Sequence, residues 1–196
     1  MMAAPMSTRD CAGRRKLLQA GLAAGIGAIL SPRTVAAAQG DAATVRPKAG
    51  DLLVKADNAE HRPLRPADIP LNARQIAAWA MDPMDGTVRS GSRLNALILV
   101  RLDEAALAPD TRARAADGVV AYTSICTHNG CDVDDWIAER LVLVCSCHAS
   151  EFDPRDAARV LDGPAPRVLP ALPLKLADGA LVVAGPFTSP VGFERG

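Results

Sequence analysis

Aromatic residues are scarce in this chain: its 196 residues include one Tyr, two Trp and three Phe. There is no surplus of charge either, since 22 Lys and Arg balance 22 Asp and Glu. A neutral chain with so few rings offers nothing that points to nucleic-acid binding. Long hydrophobic runs are also missing. The longest near the start, residues 17–30, is rich in Ala and Gly and includes Gln19, whereas a membrane-spanning helix needs about 20 predominantly apolar residues. No internal repeat or low-complexity tract occurs. What remains, 49% hydrophobic and 22% charged residues, is the ordinary composition of one soluble globular domain.

Histidine and cysteine are few, but they lie together. Of three His and five Cys, most fall in two short loops, Cys126-Thr-His-Asn-Gly-Cys131 and Cys145-Ser-Cys-His-Ala-Ser150, separated by an apolar run that reads as a strand. Each loop offers one Cys and one His, Cys126 with His128 and Cys145 with His148, and leaves Cys131 and Cys147 over. Two Cys and two His suffice for one metal site, and the spare thiols suffice for one disulfide. A tetrahedral zinc site can be made from the same four ligands, although zinc fingers commonly use a Cys pair and a His pair instead of one of each per loop. A purely structural pair of disulfides would leave both histidines without a role.

The pattern C-T-H-x-G-C followed by C-x-C-H-x-S resembles the Rieske iron-sulfur family, whose centre is a 2Fe-2S cluster with two His replacing two Cys on one iron. The resemblance implies that Cys126 and Cys145 hold one iron and that His128 and His148 hold the other. It also implies that Cys131 and Cys147 form a disulfide tying the loops together, as in the Rieske proteins of cytochrome bc complexes. The chemistry accounts for the residue types. Thiolates stabilise ferric iron, while neutral imidazoles leave the cluster less negative and raise its reduction potential. An imidazole bound through one ring nitrogen keeps the other free to lose or donate hydrogen, so electron transfer at that iron can be coupled to proton transfer.

The N-terminal 38 residues carry Arg9, Arg14, Arg15, Lys16 and Arg33 against Asp10 alone, so the rest of the chain is mildly acidic. A basic region, the apolar run and Ala36-Ala37-Ala38 follow in the order of a secretory signal. The paired Arg14 and Arg15 resemble a twin-arginine signal, used to export proteins already folded around a cofactor. The short run favours cleavage after Ala38, giving a periplasmic protein of residues 39–196; the competing reading is an uncleaved anchor in the inner membrane. Cleavage would remove Cys11 and leave only the four loop cysteines, in a compartment where a disulfide persists.

Further along, strands are expected over residues 52–54, 75–81, 94–102, 119–123 and 141–144, with a closing hairpin of 172–176 and 180–183 across Asp178-Gly179. Asp103 is expected to cap a short helix through Leu107, and residues 109–116 a second helical piece closed by Gly118. His61 reads as an exposed histidine. Short strands with Gly and Pro turns point to an all-β class. The resemblance implies an antiparallel β-sandwich base with an inserted cluster-binding subdomain of about residues 122–167, covered from a third side by Gly163-Pro-Ala-Pro166.

Several positions depart from respiratory members of the family: Asn129 for Leu, Ser146 for Pro, Ala149 for Gly and Phe152 for Tyr. Ser150 is retained and is expected to donate a hydrogen bond to a cluster sulfur, which raises the potential; Phe152 cannot supply the second such bond. The resemblance implies a one-electron carrier. It would take electrons from quinol, with His148 as the quinol's proton-coupled contact beside His128, and deliver them to a c-type cytochrome or a cytochrome bc-type complex. The alternative is the electron-transfer subunit of another periplasmic oxidoreductase, as in arsenite oxidase small subunits. An oxygenase would need a further iron held by two His and a carboxylate, and His61 alone remains outside the loops. The chain carries no substrate-converting residues beyond the cluster, so it is expected to act as an electron-transfer subunit of an oxidoreductase complex rather than as an enzyme alone.

Overall fold

The apolar runs are short and broken by Gly, Pro and Asp. In a computed structural model, which describes residues 42–193, they form two antiparallel sheets joined by short turns. The segment read as a signal, residues 1–38, lies outside the described residues. The first sheet has six strands, β1 (Leu52–Lys55), β2 (Ile76–Met81), β3 (Leu97–Arg101), β4 (Val119–Thr123), β9 (Leu174–Ala177) and β10 (Ala180–Val183), in the order β4-β3-β2-β1-β10-β9. The second has four, β5 (Asp135–Ile137), β6 (Val142–Cys145), β7 (Ser150–Asp153) and β8 (Arg159–Asp162), laid down in chain order between β4 and β9. No helix among the described residues is long and apolar enough to cross a membrane.

The six-stranded sheet curls on itself. Its β4 edge meets the segment that leads into β9, where Leu172 N–H donates to Ala121 O (2.9 Å) and Thr123 N–H to Pro170 O (3.0 Å). The layers of the expected sandwich base therefore come from one continuous sheet. Alternate residues point inward, as the two-residue period of a strand requires: Leu53, Ala78, Ala80, Leu97, Leu99, Val119, Ala121, Leu181 and Val183 form its core. The intervening residues of β3 and β4, Ile98, Val100, Val120 and Tyr122, face the other way, into a second core shared with Cys126, Leu143, Cys145 and Phe152. β4 is therefore buried along its whole length. Tyr122 sits in that second core with its hydroxyl donating to Pro154 O (2.8 Å), and burial raises its pKa well above the usual phenol value.

The expected closing hairpin is present, with Asp178 (φ 50°) and Gly179 (φ 74°) in the left-handed region that a two-residue hairpin turn demands. Asp103 also caps as expected, its side chain accepting from Ala105 N–H, but the turn is 3-10. Two expectations need correction. The strand over 94–102 begins only at Leu97, because Ser92 caps a 3-10 turn, Arg93–Asn95. The helical piece over 109–116 stops after Pro109–Arg112, because Ala116 pairs with Val119 across a tight turn at Asp117 and Gly118. β5, β7 and β8 carry no strand signal in the sequence. They are only three or four residues long, and pairing with or through β6 makes them strands.

One charged group is held inside the base. Arg89 (2% exposed) grips Asp51 (0% exposed) through Nε and Nη2, and its Nη2 also reaches Asp82 Oδ2 at 2.9 Å. Asn95 Nδ2 donates to Val45 O (2.8 Å) and Arg89 O (3.1 Å), so the pair and the amide pin the stretch before β1 to the sheet. Arg89→Met leaves the Asp51 carboxylate buried without a countercharge and is expected to cost about 3–5 kcal/mol. The measurement is the urea midpoint at constant m-value; a loss under about 1 kcal/mol would contradict a buried pair.

Candidate metal centre

The first loop leaves the end of β4. Its neck is closed by Ser124 N–H donating to Ala96 O (3.0 Å) and Val133 N–H donating to Ser124 O (2.7 Å). Inside it, Cys126 N–H donates to Cys131 O (2.8 Å) and Gly130 N–H to Cys126 O (3.0 Å). Gly130 makes that turn at φ 74°, a conformation that costs glycine little. The result buries Cys126 and Thr127 and leaves His128 half-buried and Asn129 exposed. The second loop is the tip of the β6–β7 hairpin, where Cys145 and Ser150 pair across the strands. Both are buried, while residues 146–149, including His148, stand in solvent. Ala149 sits at φ 56°, so a side chain occupies a backbone conformation that suits glycine.

The two loops bring every candidate side chain to one place. Cys131 and Cys147 form a disulfide with their Cα atoms 6.4 Å apart. Cys126 and Cys145 remain free and buried. Burial pushes the Cys145 thiol up to about 11, and the adjacent Cys126 adds to this, against the backbone N–H groups of Cys147 and His148 that point at its sulfur. Such a thiol becomes a ligand when an incoming metal displaces its proton. The rings of His128 and His148 meet edge to face, centroids 4.7 Å apart.

The donor set is thus two buried sulfurs and two imidazoles nearer the solvent. The sulfurs of Cys131, Cys145 and Cys147 lie within 4.8 Å of one another, but the disulfide withdraws two of them as thiolate ligands. A tetrahedral zinc ion would hold all four donors at about 2.0–2.3 Å from one point. A thiol pair and an imidazole pair fit a binuclear centre with sulfur on one metal and nitrogen on the other.

Neighbouring residues fasten this arrangement. Asp134, just past the first loop, accepts from both Ser146 N–H (3.1 Å) and Ser146 Oγ (2.8 Å), and the Ser146 hydroxyl holds its carboxyl below the usual range. Proline at 146 would have no N–H to give, so this departure from the family pattern brings its own loop-to-loop tie. Arg93 Nη2 donates to Gly130 O and to Asp132 Oδ1, each at 2.9 Å. From the third side, Ala165 N–H donates to Ser150 Oγ at 3.2 Å. The Ser150 hydroxyl accepts there and keeps its own proton for an acceptor beside Cys145. Gly163 permits this contact: it sits at φ 85°, and a Cβ on it would lie 2.5 Å from Ser150 Cα. Phe152, fully buried in the core that contains Cys126 and Cys145, brings no hydroxyl.

Sequence reasoning missed Arg93, Asp134 and Arg167, and it gave no role to Thr127 although that residue stands within the C-T-H motif. His61 is exposed, as expected, and distant in sequence from the centre.

Residues 84–173 match the family model described as the Rieske [2Fe-2S] domain. The chain is 35% identical over 153 residues to a cytochrome bc1 complex Rieske iron-sulfur subunit of Streptomyces lividans, covering 75% of this chain and 89% of that protein. Against the Streptomyces coelicolor subunit of the same name the identity is again 35%, but the match spans 43% of that longer protein. A putative respiratory nitrate reductase subunit Rieske of Haloferax mediterranei is 46% identical over 76 residues, 38% of this chain and 34% of that one. Among solved structures, the cyanobacterial plasma membrane Rieske protein from Synechocystis aligns with a TM-score of 0.35 and 24% identity, over 56% of this chain and 84% of that one.

Gly163→Ala is expected to push the third segment off Ser150 and to destabilise the fold by about 1–3 kcal/mol, the usual cost of a forced close contact. Thermal unfolding would measure the loss, and iron content after purification would report whether the cover still closes. An unchanged melting temperature together with full iron content would count against the contact.

Proposed function

This chain belongs to the Rieske iron-sulfur protein family, and from that premise we propose that it is an exported one-electron carrier linking a quinol-oxidising complex to a c-type cytochrome. It is an electron-transfer protein with a 2Fe-2S cluster, related to the Rieske subunits of cytochrome bc1 complexes. In this reading Cys126 and Cys145 hold one iron, His128 and His148 the other, and the unit that carries them spans residues 122–167. The bound cluster supplies a one-electron couple whose potential is raised by its imidazole ligands. The observation that carries the reading is the sorting of the donors: two free buried thiols, two touching imidazoles, and the remaining two loop cysteines locked in a disulfide.

The chain's own residues then divide the work. His148, exposed at the hairpin tip, presents its ring to the partner and holds or releases a proton at the nitrogen not bound to metal. His128 does the same from a more sheltered position. Ser150, its oxygen fixed by Ala165 N–H, would have its hydroxyl proton available for a cluster sulfur. The disulfide, Pro164 and Pro166 stiffen the loops, which limits rearrangement as the electron arrives. With residues 1–38 as a cleaved twin-arginine signal the protein works in the periplasm; with that segment retained it is anchored to the inner membrane facing the same side.

A second reading, as the electron-transfer subunit of a different periplasmic oxidoreductase such as an arsenite-oxidase-like enzyme, is favoured by the Haloferax relative, whose name associates it with nitrate reductase.

Metal analysis of the purified protein is expected to find about two irons and two acid-labile sulfides per chain; zinc in their place would defeat the assignment. A potentiometric titration then separates the two readings. A wave at clearly positive potential that falls as pH rises supports quinol oxidation with protons taken up at imidazole, and a wave well below zero supports the second reading. Phe152→Tyr should raise the potential by about 40 mV, the one-electron equivalent of a hydrogen bond worth about 1 kcal/mol. A fall on that substitution would contradict the tuning argument.

A further inference from the structure

The chain does not end at the last strand. After β10 it doubles back along the segment that follows the cluster cover: Ala184 N–H donates to Pro173 O (2.7 Å) and Thr188 N–H to Ala171 O (2.9 Å), while Ala171 N–H donates to Thr188 Oγ1 (2.9 Å). Arg167 takes up the same course. Its Nη2 donates to Pro190 O at 3.0 Å and Gly192 O at 2.6 Å. Beyond that clip, Phe193 lays its ring against Gly130, where an added Cβ would lie 2.9 Å and 3.0 Å from two ring carbons. Gly192 meets the Leu94 side chain on the way.

The main chain of Arg167 is engaged as well. Its carbonyl accepts from Thr127 Oγ1 at 2.7 Å, and Thr127 stands between Cys126 and His128. One residue thus touches the first loop through its backbone and the C-terminal tail through its guanidinium. The loop is consequently held on two sides at Gly130, by Arg93 on the carbonyl and by Phe193 on the α-carbon. A guanidinium suits this task because its planar fork reaches two carbonyls without losing its charge.

We propose that Arg167 is a positioning residue for the first loop, clipping the C-terminal tail (186–193) so that Phe193 closes over Gly130 and fixes the stretch carrying Cys126 and His128. The consequence for the cluster rests on the reading of those two residues as ligands; the hold on the loop does not. Removing the clip frees the Phe193 end and lets the 126–131 turn open more often, with the base sheet undisturbed.

The test is hydrogen exchange read by mass spectrometry on the full chain, comparing the natural sequence with Arg167→Gln, Arg167→Lys and Phe193→Ala. Phe193 is 39% exposed, so its truncation does not threaten the core. Exchange within residues 126–133 is expected to quicken on the order of tenfold in Arg167→Gln and Phe193→Ala, the effect of losing interactions comparable to one or two hydrogen bonds. Amides of β1–β4 should stay within about twofold, and Arg167→Lys should recover part of the protection. In the iron-loaded protein, the electron paramagnetic resonance spectrum of the reduced cluster should shift in the same two variants. Unchanged exchange in 126–133, or equal quickening across the base sheet, would overturn the positioning role. A natural-sequence preparation without iron and sulfide would instead overturn the functional reading, while the exchange comparison would still decide the role of Arg167.

Discussion

The site depends on keeping two loops, carried by different sheets, at a fixed separation. The first leaves β4 of the base; the second is the turn of the β6–β7 hairpin. The Cys131–Cys147 disulfide spans that gap with a sequence separation of 16. In the chain-entropy model a link closing a loop of about 15 residues contributes about 3 kcal/mol by restricting the unfolded chain. Its local effect matters more. It draws both loop tips together, removes two competing thiols from the ligand set, and leaves Cys126 facing Cys145 and His128 facing His148.

A cross-link of this kind orients nothing unless the strands beneath it are rigid. β3 and β4 provide that rigidity because both of their faces are buried, one against the core of the base and the other against the core under the loops. Electron-carrying sites benefit from such a foundation, since groups that cannot move cost little to leave in place when the charge changes. The polar ties follow the same logic at the surface. Asp134 to Ser146, Arg93 to Gly130 and Thr127 to Arg167 each join residues from separate stretches, and each leaves the candidate ligands untouched. The ligands are thereby held by their neighbours and remain free to bind.

Two of the departures from the family pattern take on a physical meaning here. Ser146 uses an N–H that proline lacks, so the loop gains a hydrogen bond where it forgoes a stiff residue. Ala149 accepts a left-handed backbone that glycine would adopt more readily. Both lie in the exposed tip of the second loop beside His148, so they reshape the surface there and leave the buried sulfurs alone.

Local sequence carried the candidate chemistry and the apolar strands. Cysteine and histidine are reactive wherever they stand, and their spacing in two short motifs survives any folding, so the candidate donors stand out in the sequence. Strands with apolar runs, such as Val119–Thr123 and Ala180–Val183, were legible for a similar reason: burial needs local hydrophobicity. The tertiary structure alone decided the rest. β5, β7 and β8 are short and became strands only because β6 paired with β5 and β7, and β7 in turn with β8. Arg93, Asp134 and Arg167 carry no local signal, since a charged residue on a loop reads the same whether it is solvated or grips a carbonyl far along the chain. Which of these it does is set by long-range contacts, and those exist only once the two sheets have packed.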